Sequence, residues 1–247
     1  GPLAHNFAAL EAYYQDQGRD WERYALIKAR PVTGDPARCD ELMRTLRPFV
    51  FRRYVDFGVI ESLRGMKSMI ATDVARRGLE DNVKLGRGGI REVEFIAQCL
   101  QLIRGGRDRA LQQRELLPVL ESCAALGILP PPVVDELRAA YLFLRDSEHA
   151  IQGYNDRQTQ ELPTGAEARA ALALVMGCDG WEDYRRRLER ERARVAHHFD
   201  ELIAPPADAP AAPLDGVAFG AVDAMTLAGL GYRDPETTLG LLAELQG

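Results

Sequence analysis

Apolar residues recur at intervals of three and four along most of this chain, and no stretch alternates apolar with polar residues over five or more positions. Helical side chains share a face at those intervals, whereas a half-buried strand needs a period of two. The expected fold is therefore all-α, a bundle of long helices joined by short loops. A chain of 247 residues buries a core without disulfides. Cys39, Cys99, Cys123 and Cys178 form no Cys-x-x-Cys pair, which reads as reduced core thiols of a cytoplasmic protein. There is no apolar run of bilayer length and no signal segment, so no membrane role is expected. A net charge of −6 argues against a general affinity for nucleic acid.

Glycine and proline punctuate the pattern. Phe7 to Arg30 reads as helix broken at Gly18, and a new helix starts at Asp35 or Pro36. Pro48 should bend or divide the long pattern that runs on through Tyr54 and Leu63, and Gly78 is a plausible cap after Arg77. Helices are further predicted over Ile90 to Arg104, largely buried, then Leu116 to Leu126, Val133 to Gln152, Ala166 to Met176 and Trp181 to Ile203. The arginine-rich run Arg185 to Arg192 carries interleaved glutamates, which favours a solvated, salt-bridged helix face over a nucleic-acid patch.

The sharpest local signal is Lys84-Leu85-Gly86-Arg87-Gly88-Gly89-Ile90-Arg91-Glu92, a glycine-rich loop feeding a helix N-terminus. Unpaired first-turn N–H groups and the helix dipole favour an anion there, and Lys84, Arg87 and Arg91 add positive charge. A helix–helix connection with solvated basic residues fits the same residues equally well. No Gly-Lys-Ser/Thr follows, so it is not a Walker A loop. Glu92 is expected to face the loop and bond Arg91 or a backbone N–H. A second charged region, Arg19 to Arg30, surrounds Trp21. An aromatic–cation site for a base or phosphate fits it, but a core-packed Trp21 with its charged neighbours reaching out is favoured. His149, beside Glu148, reads as a hydrogen-bonded core residue. None of His5, His149, His197 and His198 has metal-ligand spacing, so no metal site is expected.

Longer stretches carry a resemblance. Gly18 to Arg30, Lys84 to Gln98, Leu102 to Arg107, Tyr141 to Arg145 and Asp156 to Pro163 resemble bacterial glutamine synthetase adenylyltransferase/adenylyl-removing enzymes. The resemblance implies two related halves, each a nucleotidyltransferase domain of the DNA polymerase β type followed by a helical domain. One half removes AMP from glutamine synthetase and the other attaches it. The Lys-Leu-Gly-Arg-Gly-Gly-Ile-Arg-Glu form of the loop is similar to the removing half. The implied reaction is phosphorolysis of an adenylyl-tyrosine to ADP, with Mg2+ and ATP, ADP or phosphate serving the complete enzyme. Glutamine synthetase and a PII signal protein are the implied partners.

On this resemblance Lys84, Gly86, Arg87, Gly88, Gly89, Arg91, Lys28 and Arg30 are candidates for phosphate or nucleotide contact. Trp21 and Glu92 are structural or orienting candidates. No Asp-x-Asp occurs anywhere in the chain, so the metal-binding carboxylates are expected upstream and the fragment alone is expected to be inactive. The implied organisation is a nucleotidyltransferase tail over 1–34, a helical bundle over 35–204, a Pro/Ala-rich linker over 205–216 and the start of another helical region over 217–247. The alternative is a non-catalytic helical docking module for glutamine synthetase or a PII protein.

Overall fold

The computed structural model describes residues 4–53, 57–154 and 156–202. The expected linker and final helical region, and Tyr54, lie outside them. Nine α-helices follow one another in the described residues: α1 (Phe7–Asp16), α2 (Asp20–Leu26), α3 (Pro36–Val50), α4 (Phe57–Arg77), α5 (Ile90–Arg104), α6 (Leu116–Ala125), α7 (Pro131–Gly153), α8 (Ala166–Val175) and α9 (Trp181–Glu201). A 3-10 turn, Arg109–Leu111, precedes α6. Extended pairing is limited, among the described residues, to one antiparallel bridge between Asn82 and Glu161. The all-α expectation holds.

Local chemistry sets the helix ends. Asn6 caps α1 by accepting the Ala9 N–H at 2.8 Å, and Asp35 caps α3 by accepting from Arg38 at 3.1 Å with Pro36 in the first turn. Glu22 reaches back to the Arg19 N–H at 2.9 Å in a capping box. Pro48 lies inside α3, and the long pattern divides just beyond it, since α3 stops at Val50 and α4 begins at Phe57. Gly78 and Gly127 take positive φ, +60° and +64°, just past α4 and α6.

Helix α5 is the centre of the core. Ile90, Val93, Phe95, Ile96, Ala97, Cys99 and Leu102 are buried on it, against α2, α6, α7 and α9. Apolar residues on several sides of one helix bury most of it, as the sequence pattern implied, and leave Arg91, Glu94 and Arg104 among its more open positions. Helix α7 lies along α9, while α1 packs on α3. All four cysteines are free, but only Cys99 and Cys123 are buried. Burial pushes the Cys123 thiol up to about 11, so it stays protonated at neutral pH. Within the described residues no helix is long and apolar enough to cross a membrane.

The structure reverses the expected packing around Trp21. Trp21 is 58% exposed, and it is Arg23 that is fully buried. The cause lies in α3, whose last carbonyls have no partner within their own helix. Arg23 Nε donates to the Phe49 carbonyl at 3.1 Å and Nη2 to that of Val50 at 3.3 Å, while Nη1 meets Asp20 at 3.2 Å. Turning Arg23 inward puts Trp21, two residues earlier, on the outside. His149 is likewise exposed rather than core, while its neighbour Glu148 is buried. Helix α9 has the expected salt-bridged face, with Arg185 on Asp81, Arg186 on Asp183 and Arg194 on Glu191. Arg192 departs from it and turns to the main chain just before the glycine-rich loop.

Candidate functional site

The glycine-rich loop is held from several directions. Asn82 Oδ1 accepts the N–H groups of Lys84 and Leu85 at 3.0 and 2.7 Å, an Asx-type turn. Val83 N donates to Gln160 O and Leu162 N to Asp81 O, each at 2.9 Å, so the polar stretch after α7 backs the loop. From α9, Arg192 donates to the carbonyls of Glu80 and Asn82, both at 2.6 Å. Gly88 has φ +68°, and a Cβ there would overlap the main chain of Arg192; one at Gly86 would overlap the Arg192 guanidinium. The glycines are thus required by close approach to α9.

This arrangement engages the donors that an anion would use. Gly86 N donates to Asn82 O at 2.9 Å, Gly89 N to Gly86 O at 3.0 Å, Ile90 N to Val83 O at 3.2 Å and Arg91 N to Lys84 O at 3.0 Å. Gly88 N donates to Glu92 Oε2 at 2.9 Å. Gly86, Gly88 and Gly89 therefore shape the loop and spend these N–H groups internally, which leaves charged side chains as the means of anion contact.

Glu92 is 3% exposed and takes the backbone-bonded form of its two expected arrangements. Burial pushes its carboxyl above the ordinary 4.5, with Asp200 adding to the rise and the Gly88 N–H, Arg87 and Arg91 opposing it. A raised folded-state pKa means that the native protein holds this proton more tightly than the unfolded chain. The associated stability is fully present below 4.5 and is lost as pH rises through the raised value. Glu92→Gln keeps an acceptor for Gly88 and buries no charge. The variant should gain stability relative to the parent as pH rises from below 4.5 towards neutrality, measured by thermal melts at matched pH. Parallel pH profiles for the two proteins would refute the shift.

The basic candidates divide. Lys84, Leu85 and Arg91 line a cavity of about 870 Å³ between α2, α4 and α5, together with Tyr24, Met69, Asp73, Arg76, Glu94, Phe95 and Gln98. Lys84 Nζ lies 3.5 Å from buried Glu148, which Arg145 also pairs with. Arg91 is held by the Leu85 carbonyl at 3.1 Å and by Asp73 at 3.6 Å, and its Nε is buried without a partner. Arg87 instead reaches Asp200 at 2.6 Å at the end of α9. Lys28 donates to the Arg114 carbonyl at 2.6 Å, and Arg30 lines a different cavity of about 380 Å³ against α3. Trp21 stands outside the cavity wall that Tyr24 forms.

Tyr24, Asp73, Arg76 and Gln98 are cavity residues that the sequence does not single out, and Glu94 is one that it does not place at a cavity. Arg91, Glu94, Phe95 and Gln98 stand at i, i+3, i+4 and i+7, a helical-face signal that was legible. What their pattern lacks is the opposing wall, which α4 supplies. A more apolar cavity of about 660 Å³ lies between the end of α7 and α8, bordered by Leu162, Leu172 and Val175. It gathers little charge.

Within the described residues, the one grouping of three or more metal-type donors is His197, His198 and Glu201 on α9. Two imidazoles and one carboxylate do not suit Mg2+, which takes hard oxygen ligands. The residues present do not fit that ion.

Comparison with known proteins places the chain. A family model described as GlnD PII-uridylyltransferase matches residues 64–203, more than half of the chain. A second, described as glutamate-ammonia ligase adenylyltransferase, matches residues 1–52. The bifunctional glutamine synthetase adenylyltransferase/adenylyl-removing enzyme of Pseudomonas aeruginosa is 58% identical over 206 residues, 83% of this chain and 21% of that protein. Its counterpart in Hahella chejuensis is 53% identical over 228 residues, 92% of this chain and 24% of that protein. The chain thus spans about a fifth of the length of these curated relatives. With the matched α2 segment and the matched loop meeting at one cavity, and with identity this high over most of its length, the chain belongs to the family of bifunctional glutamine synthetase adenylyltransferase/adenylyl-removing enzymes.

Proposed function

We propose that this chain is the helical part of the half that removes AMP from a tyrosine of glutamine synthetase, and that its α2/α4/α5 cavity contacts the phosphoryl groups in that reaction. The observation that carries the reading is the convergence on this cavity of Arg76, Lys84 and Arg91, with Asp73 and Glu94 in the same lining and Glu148 behind Lys84. Arg91 matters most, because its guanidinium is fixed by two partners before any ligand arrives. A pre-oriented guanidinium is well suited to phosphoryl oxygens. The names of the relatives include adenylyl removal, and the Lys-Leu-Gly-Arg-Gly-Gly form of the loop agrees with that half.

In the proposed reaction an oxygen of inorganic phosphate bonds to the α-phosphorus of the adenylyl group. The bond from phosphorus to the tyrosine oxygen breaks, ADP is released and the tyrosine oxygen takes a proton. Arg91 and Lys84 bind and orient phosphoryl oxygens in this scheme. With no Mg2+-type ligand set among its described residues, the chain is proposed to bind but not to turn over by itself. Glutamine synthetase is the protein substrate of this reading, and a PII signal protein its regulator.

The test is calorimetric titration of the chain with ADP and with inorganic phosphate, in the parent and in Arg91→Ala, with thermal melts confirming that both are folded. Removing a charge-assisted contact should weaken ADP at least tenfold, on the order of 1.5–3 kcal/mol for hydrogen bonds to charged groups. Unchanged ADP affinity in the variant overturns the phosphoryl-contact reading.

A further inference from the structure

Gln98 is the cavity residue whose placement the fold does not account for. It is 5% exposed, and its Oε1 is buried with no hydrogen-bond partner. Buried polar groups are normally paired, and leaving one unpaired is unfavourable. The next buried carboxamide on the same helix shows the usual outcome. Gln101 Nε2 donates to the carbonyls of Leu111 and Gln113 at 2.6 and 2.7 Å and so pins the turn before α6. Gln98 pins nothing.

Its surroundings describe what would satisfy it. Along one face of α5 the cavity meets a guanidinium, a carboxylate, an aromatic ring and then this carboxamide, with Arg91 and Gln98 about 10 Å apart along the axis. Tyr24 and Phe95 lie with ring centroids 5.8 Å apart at a tilt of 39°, and Met66, Met69 and Ile70 of α4 line the same cavity. The lining thus mixes apolar and aromatic groups with Ser68, Thr72, Asp73 and Arg76 of α4, and Arg91 and Gln98 stand apart along it. It suits a flat heterocycle carrying an N–H donor at one end and an anion at the other. The terminal amide torsion is broad and roughly twofold, so Oε1 can turn to the cavity side.

We propose that Gln98 reads the base of an adenine nucleotide in this cavity. Its Oε1 accepts the exocyclic N6–H and its Nε2 donates to N7, the bidentate pairing that a carboxamide makes with adenine and cannot make with the two acceptors, O6 and N7, of hypoxanthine. The base lies between the aromatic pair and the methionines, the phosphates point towards Arg91, and Glu94 between them accepts a ribose hydroxyl. This proposal rests on the phosphoryl-contact reading of the same cavity and adds the base.

ADP and IDP separate the two, because IDP carries a carbonyl oxygen where ADP has the amine. Titrated into the parent chain, ADP should bind about tenfold more tightly than IDP, within the range for a good bidentate pair. Gln98→Met, which preserves volume, should weaken ADP about tenfold, leave IDP unchanged and so erase the difference. Arg91→Ala should weaken both. Equal affinities in the parent, or a preference for ADP that persists in Gln98→Met, overturn the role of Gln98 while leaving the phosphoryl contact standing. Failure of both nucleotides to bind the folded parent chain removes the phosphoryl-contact reading and the base reading together.

Discussion

Gly88→Ala is expected to lower the unfolding free energy of the helical unit by about 3 kcal/mol or more, read by urea denaturation followed by circular dichroism. Two separate causes add. The backbone at Gly88 has φ +68°, which costs a residue with a Cβ about 1–2 kcal/mol. The new Cβ would also overlap the carbonyl and Cα of Arg192, which are main-chain atoms within α9 and cannot swing aside. Overpacking of that kind typically costs about 1–3 kcal/mol. Gly127→Ala is the control, since Gly127 has nearly the same φ, +64°, with no atom within 4 Å of a Cβ. It should lose about 1 kcal/mol. Equal losses for the two variants would show that the approach to Arg192 contributes nothing.

Arg23→Ala should be comparably damaging, by about 3 kcal/mol, with the lower end favoured because Asp20 is partly open to water. The substitution leaves the carbonyls of Phe49 and Val50 without the donors that now satisfy them, and empties the volume of a fully buried side chain. Arg23→Lys should recover little, because one ammonium cannot reproduce the guanidinium fork that meets two carbonyls and a carboxylate. Trp21→Ala, two residues away on the exposed side of α2, should stay within about 0.5 kcal/mol of the parent. Chemical denaturation of the three variants decides the matter. A larger loss for Trp21→Ala than for Arg23→Ala would invert the assignment of inner and outer faces.

The gap between Trp21 and Arg23 marks where sequence reading ends. Polarity alone sends an arginine outward and a tryptophan inward, and α2 obeys neither because of unpaired carbonyls on another helix. Arg192 repeats the lesson. It sits in a run of arginines and glutamates of which Arg185, Arg186 and Arg190 are salt-bridged, yet it turns to the carbonyls of Glu80 and Asn82. The acceptors that draw each arginine inward are 26 and 110 positions away in sequence, beyond any helical periodicity. The glycine-rich loop was legible as a loop, and its basic side chains as candidates. Its N–H groups were not, because their use depends on Asn82 folding back and on Glu92 returning from the first turn of α5.

By itself the sequence determined the helices, their breaks and the family. Those are written in local spacing, in caps such as Asp35-Pro36, and in long ordered matches such as Lys84 to Gln98. Tertiary structure alone decided which charges face one another. It joined Tyr24 to Arg91 and Gln98 across one cavity, paired Lys84 with Glu148, and separated Arg87, Lys28 and Arg30 from that cavity. The physical reason is that periodicity encodes the burial of apolar area, which is non-directional, whereas a guanidinium or carboxamide is placed by directional partners. Those partners come from other helices, and only the packed chain brings them within reach.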